Sequence, residues 1–192
     1  MQGVLEIRWH GRGGQGAKTA AILLGEALAA AGKHIQAFPE YGPERMGAPV
    51  LAFNRVSDKP IRLHCHVERP KIVVILDPTL VGKVDVTGGV PGDGVYVINT
   101  NLAPAEIRRK LNIKGGSIFT VDATQIALDT IGRDIPNTPM MGALLRAAGL
   151  LPLDDFISDI RHKLEKKFKT KPEIIEGNIK AIQRAYQEVR SE

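Results

Sequence analysis

The sequence predicts an α/β domain with a largely parallel sheet, an inserted antiparallel hairpin and a helical C-terminal tail. Three observations carry this. Strand-like and helical runs alternate through residues 1–122, a pair of hairpin-like runs interrupts them, and from Ala123 nearly every segment has helical spacing. With 192 residues, 43% hydrophobic and 24% charged, the chain is expected to be a single domain able to bury a sizeable core. Residues 1–122 make its α/β core and residues 123–192 its mostly helical tail.

VLEIRW (Val4 to Trp9) is the first strand, and a glycine-rich loop follows it. Gln15 to Ala31 then carries Ala20, Ala21, Leu23, Leu24, Ala27, Leu28 and Ala31, an apolar face at helical period. Gly32 ends this helix, being the residue best suited to the left-handed position just past a helix. HIQAF (His34 to Phe38) is the second strand. A right-handed crossover makes it parallel to the first, with both carboxyl ends on one edge of the sheet. VLAFNRV and IRLHCHV, joined by SDKP, read as the antiparallel hairpin. Parallel strands resume at KIVVILD (Lys71 to Asp77), GVYVIN (Gly94 to Asn99) and SIFTVD (Ser117 to Asp122). Between them lie a short turn or helix at Pro78 to Gly82, a Gly-rich link and a helix at Pro104 to Leu111. ATQIALDTIG, NTPMMGALLRAAG, LDDFISDIRHKLEKKF and PEIIEGNIKAIQRAYQEV are the helices of the tail.

Composition excludes several classes. No apolar run approaches the roughly 20 residues of a membrane span, because Glu26 and Lys33 interrupt the most apolar helix. MQGVLEIRW lacks a basic n-region and does not read as a signal peptide. The single cysteine, Cys65, excludes an internal disulfide and falls short of the about four thiolates of an iron–sulfur cluster. A cytoplasmic location is expected. The formal charge is +5, with a basic run at RHKLEKKFKTK (Arg161 to Lys171). Leu164 and Phe168 interrupt that run at helical spacing, and it reads as a solvated helix face rather than a nucleic-acid footprint.

The stretch HGRGGQGAKT (His10 to Thr19) concentrates the chemistry. Gly11, Gly13 and Gly16 match the dinucleotide pattern G-x-G-x-x-G between a strand and a helix, where backbone N–H groups face anionic oxygens. Glu40, at the end of the second strand, stands where such a fold holds a ribose. Against NAD, that fold needs a second crossover helix, and EYGPERMGAP with Pro39, Pro43 and Pro49 leaves no room for one. Against a triphosphate, Ala17 intervenes between Gly16 and Lys18-Thr19 and turns the lysine about 100° around the helix. Glycines serving only close strand–helix packing are a further alternative.

EYGPERMGAP is expected beside the glycine loop, at the carboxyl ends of adjacent strands. Arg12 and Arg45 together could clamp a phosphate or carboxylate, and Glu44 and Arg45 could equally pair within the loop. Asp77 and Asp122 sit where strands meet helices and read as caps. Asn137-Thr138-Pro139 reads as an N-cap with proline at the first helical position, although it could also present polar groups to a ligand. His64 and His66 share one strand face with Cys65 on the other and no fourth ligand nearby, so no metal site is expected. No nucleophile–base pair is evident, and no catalytic residue is assigned.

HGRGGQGAKTAAILLGEAL, QAFPEYGPERMGAPVLAFNRVSDKPIR, VVILDPTLV and IPNTPMMGALLRAAGLLPL together resemble the gamma subunit of 2-oxoacid:ferredoxin oxidoreductases, most of all the pyruvate enzyme. The resemblance spans essentially the whole chain; Arg69-Pro70-Lys71 departs from it, an acidic residue being expected after the proline. It implies a Rossmann-like domain in a complex with alpha, beta and delta subunits. That complex decarboxylates a 2-oxoacid oxidatively, passes electrons to ferredoxin and leaves the acyl group on coenzyme A. Thiamine diphosphate and the iron–sulfur clusters are implied on partner subunits, with coenzyme A entering near this chain. On that basis Gly11, Arg12, Gly13, Gly14, Gln15 and Gly16 are expected to face coenzyme A. Tyr41, Glu44 and Arg45 complete that wall or seat a neighbouring subunit, with Asn137 and Thr138 as further candidates. The alternatives are a gamma subunit for a branched-chain oxoacid or 2-oxoglutarate, a purely structural subunit, and a stand-alone NAD(P)-binding oxidoreductase.

Overall fold

A computed structural model describes residues 3–40 and 47–192. Its strands are β1 (Val4–Arg12), β2 (His34–Glu40), β3 (Pro49–Ser57), β4 (Ile72–Ile75), β5 (Val95–Asn99), β6 (Ser117–Val121) and β7 (Arg190–Ser191). Its helices are α1 (Ala17–Ala30), α2 (Pro104–Leu111), α3 (Ala123–Ile131), α4 (Asn137–Ala148), α5 (Leu153–Lys167) and α6 (Pro172–Glu188), with a 3₁₀ turn at Pro78–Leu80. Among the described residues the strands form one sheet in the order β2-β3-β1-β4-β5-β6-β7. Strands β1, β4, β5 and β6 pair parallel. β3 is antiparallel to both β1 and β2, and β7 is antiparallel to β6.

The central strands are apolar on both faces, as parallel strands covered on two sides must be. Ile72, Val74 and Leu76 enter one core, while Val73 and Ile75 enter the other. The larger core lies under α1, α3, α4, α5 and α6, and the smaller one under α2 through Ile107. Helix α1 approaches the sheet closely because its inner face is small: Ala17, Ala20, Ala21, Gly25 and Ala27 are buried beside Leu24 and Leu28. A Cβ on Gly25 would come within 2.9 Å of Ile35 Cγ2. Gly32, at φ 86°, closes the helix as expected. The α/β class, the parallel strands and the four helices after Ala123 are thus as the sequence predicts.

Two expectations are corrected. The hairpin is β2–β3, not the pairing of residues 50–56 with 61–67, and the latter segment has no strand. Both edges of β3 are already occupied, by β1 and β2, so a third strand has nowhere to pair. The carbonyls of residues 61–67 are held by side chains instead: Gln36 donates to Leu63 O, and Arg55 to Cys65 O and His66 O. Secondly, β1 and β2 run in the same direction as predicted, but β3 lies between them, so they are not adjacent. The split-off β2 carries Glu40 one strand further from the glycine loop, where it is exposed.

Candidate ligand site at the carboxyl edge

β1 ends at Arg12, and the chain turns through Gly13 to Gly16 into α1 at the carboxyl edge of the parallel strands. Gly16 occupies the N-cap position at φ 82°, a left-handed conformation that favours glycine, and among the described residues no side chain caps the helix. A Cβ there would lie 2.6 Å from Asn137 Nδ2. The first turn of α1 contains no acidic residue. The positive end of the helix dipole makes this a place that favours an anion.

Asn137 comes from the start of α4, more than a hundred residues along the chain, and is 7% exposed. Its Oδ1 accepts from Thr138 N at 2.8 Å, and its Nδ2 lies against Gly16. Thr138 donates from Oγ1 to Asn178 Oδ1 at 2.8 Å, with Asn137 Oδ1 further off at 3.3 Å. The N-cap of α4 is Pro136 and the helix begins at Asn137, so Pro139 is the third helical residue rather than the first and the expected start moves two residues earlier. The side-chain bond of Asn137 to the adjacent Thr138 N–H explains the shift, since that oxygen already serves an N–H of the first turn.

The side chains of Arg12 and Gln15 turn into the protein. Arg12 Nε lies 3.0 Å from Asp77 Oδ2, and its guanidinium donates to Thr79 Oγ1 at 2.9 Å and Gly47 O at 2.9 Å. Gln15 donates from Nε2 to Asp77 Oδ2 at 2.8 Å, and its Oε1 accepts from Arg12 N at 2.8 Å. Asp77 caps the 3₁₀ turn as predicted, accepting from Thr79 N at 2.8 Å, but it also ties the glycine loop to the end of β4. Burial pushes the Asp77 carboxyl up. Bonds from Thr79 and Gln15 and the Arg12 charge outweigh it and hold the pKa below the ordinary carboxylate value. Gly13 N donates to Ala48 O at 3.1 Å, so the far end of the second loop does reach the glycine loop. Tyr41, Glu44 and Arg45 lie outside the described residues.

The sequence reading missed Thr79 and Asn99 at this edge. Asn99 donates to Leu76 O at 2.8 Å and so fixes the end of β4. The available signal was a polar residue closing each apolar strand run, Asp77 and Asn99, on the edge where open α/β sheets bind ligands. A second, open cleft of about 380 Å³ is lined by Gln36, Phe38, Arg55, Leu63 and Cys65. Its charged group is internally engaged: Arg55, 1% exposed, bonds Glu6 at 2.8 Å and the segment 61–67 as described. Among the described residues no three His, Cys, Asp or Glu side chains converge as a metal would need, and Cys65 is exposed.

Parallel strands, a glycine loop leading from the first of them into α1, and a layer of helices define an α/β domain whose candidate ligand site lies at the carboxyl edge of the sheet. The chain belongs to the pyruvate ferredoxin/flavodoxin oxidoreductase family, which it matches over residues 6–188, and within it to the gamma-type subunits. It is 49% identical over 185 residues to pyruvate synthase subunit PorC of Thermotoga maritima, covering 96% of this chain and 94% of that one. It is 43% identical over 187 residues to the pyruvate/ketoisovalerate oxidoreductases common subunit gamma of Pyrococcus abyssi, covering 97% and 98%. The crystal structure of the pyruvate oxidoreductase subunit PORC from Thermotoga maritima superposes with a TM-score of 0.87 at 45% identity, over 99% of both chains.

Proposed function

We propose that this chain is the gamma subunit of a pyruvate-oxidising member of the family and forms one wall of its coenzyme A site. Pyruvate is decarboxylated and oxidised, electrons leave to ferredoxin, and the acetyl group ends on coenzyme A. The observation that carries the reading is the glycine turn into the start of α1, with Gly16 at φ 82° and Asn137 Nδ2 beside it. Phosphate or amide oxygens of coenzyme A fit that donor set. Gly11, Gly13 and Gly14 let the ligand approach the backbone, and the family resemblance assigns Tyr41, Glu44 and Arg45 either to that wall or to the seat of a neighbouring subunit. Arg12, Gln15 and Thr138 shape it from behind, since their side chains are engaged elsewhere.

The donor set does not fit an iron–sulfur cluster, with one cysteine in the chain and no convergent ligand cluster among the described residues. Clusters and thiamine diphosphate are therefore assigned to the alpha, beta and delta partners. That a relative is common to pyruvate and ketoisovalerate oxidoreductases supports placing the choice of oxoacid on those partners too. No helix among the described residues is long and apolar enough to cross a membrane, and we place the single-domain chain in the cytoplasm.

The test is Asn137→Asp in the assembled complex. It keeps the oxygen that serves Thr138 N and replaces the donor beside Gly16 with a negative oxygen. We expect the KM for coenzyme A to rise on the order of tenfold or more, with the KM for pyruvate unchanged. An unchanged KM in an intact complex would instead leave the loop as a subunit interface. That second reading has its own support, because Arg12, Gln15 and Thr138 all bond internally.

A further inference from the structure

Resting on the coenzyme A reading above, we infer that Asp77 is the positioning residue of the glycine loop, and that Arg12 acts through it rather than as an anion clamp. Both carboxylate oxygens are used. Oδ1 accepts from Thr79 N at 2.8 Å, which fixes the carboxylate on the end of β4. Oδ2 accepts from Gln15 Nε2 at 2.8 Å and forms an ion pair with Arg12, whose Nε lies 3.0 Å away; these two residues bracket Gly13 and Gly14.

The bracket is closed on itself. Gln15 Oε1 takes the Arg12 N–H at 2.8 Å, and Gln15 N donates to Arg12 O at 3.1 Å. Gly14 in the middle, at φ 99°, has nothing within 4 Å of the place a Cβ would occupy. A loop of four glycines in six residues is conformationally loose by composition. Here its ordering is supplied by a buried carboxylate 62 residues from Gln15, before any ligand arrives. Preorganisation of this kind lowers the entropy lost on binding without touching the ligand. Arg12 is also bonded to Thr79 and Gly47, so its charge is already matched and its reach already committed.

The experiment compares Asp77→Asn, Arg12→Gln and the double variant in the assembled complex, with Asn137→Asp as reference. Asp77→Asn is expected to raise the KM for coenzyme A about tenfold while leaving kcat and the KM for pyruvate close to wild type. The double variant should be no worse than the worse single one, since both break the same tie. Should Asp77→Asn fail to assemble, Gln15→Ala removes the bridge while leaving the Thr79 bond intact, and the same rise is expected. If Asn137→Asp raises the KM and the Asp77 and Gln15 variants do not, the positioning role is wrong while the coenzyme A reading stands. If none of them moves it, the coenzyme A reading fails and the inference falls with it. A double variant whose effect is the product of the singles would give Arg12 a ligand contact of its own and overturn its assignment.

Discussion

His10 stands immediately before the glycine loop with its ring 4% exposed and its Nε2 without a partner among the described residues. Burial, then the neighbouring Arg8 charge, lowers its pKa from 6.5 to about 4, against a smaller upward pull from Asp85. The imidazole is therefore neutral near pH 7 and is no phosphate cation. The linkage has a definite sign. The unfolded chain takes up this proton near pH 6.5 and the folded one only near 4, so stability is full above 6.5 and falls as pH drops through that window. The loss is on the order of 3 kcal/mol by pH 4. Urea midpoints measured between pH 4.5 and 7 should show this slope in the wild type and a flatter one in His10→Gln. Equal slopes would mean that the proton is taken up elsewhere. At this scale the glycines of the loop were legible from the sequence, whereas the bonding of Arg12 was not. Its partners Asp77 and Thr79 lie more than sixty residues away, and only the β1–β4 pairing brings them within reach.

Among the elements, α4 is the keystone of the helical layer. Met140, Met141, Ala143 and Leu144 are all at 0% exposure, and its first residue Asn137 lies against Gly16 of the glycine loop. It packs on α6 through Gly142, where a Cβ would lie 2.2 Å from Ile182 O. Gly142→Ala sets two effects against each other. Helix propensity favours alanine by about 1 kcal/mol. The overlap with a backbone carbonyl forces the helices apart, at a cost of about 1–3 kcal/mol. The overlap should win, lowering the urea midpoint; a midpoint at or above wild type would show that α6 yields. Helical spacing located α3, α5 and α6 because each buries one stripe, whereas α4 is buried on every side from Asn137 to Leu145. The hairpin was misassigned for an equally physical reason: residues 34–38 and 61–67 have similar strand-like composition, and β3 could pair with either. What decides between them is Arg55. A guanidinium at 1% exposure must find acceptors, and it finds Glu6, Gln36 and the carbonyls of Cys65 and His66. Two of those acceptors are the backbone of the segment that would otherwise have been a strand.

For the whole molecule, one core is shared by the two parts of the chain: Trp9, Leu24 and Val74 cluster with Met141, Phe156 and Ile182. The helical half therefore positions the carboxyl edge as much as the sheet does, and Asn137 is the point where it reaches the glycine loop. Class and the parallel strands followed from alternation and apolar runs, while the strand order and this long-range meeting of residues 16 and 137 had no local signal. What the described chain offers a ligand is narrow: one helix start, one amide and a few glycines, on one side only. Binding must offset several kcal/mol of lost translational and rotational freedom, which so few contacts do not supply. The isolated chain titrated calorimetrically with coenzyme A should accordingly show no binding tighter than about 1 mM, whereas the assembled complex should bind it well below that. NAD should bind to neither. Micromolar binding of NAD to the isolated chain would restore the stand-alone dehydrogenase reading of the glycine loop. Micromolar binding of coenzyme A would show that this chain holds the whole site rather than one wall of it.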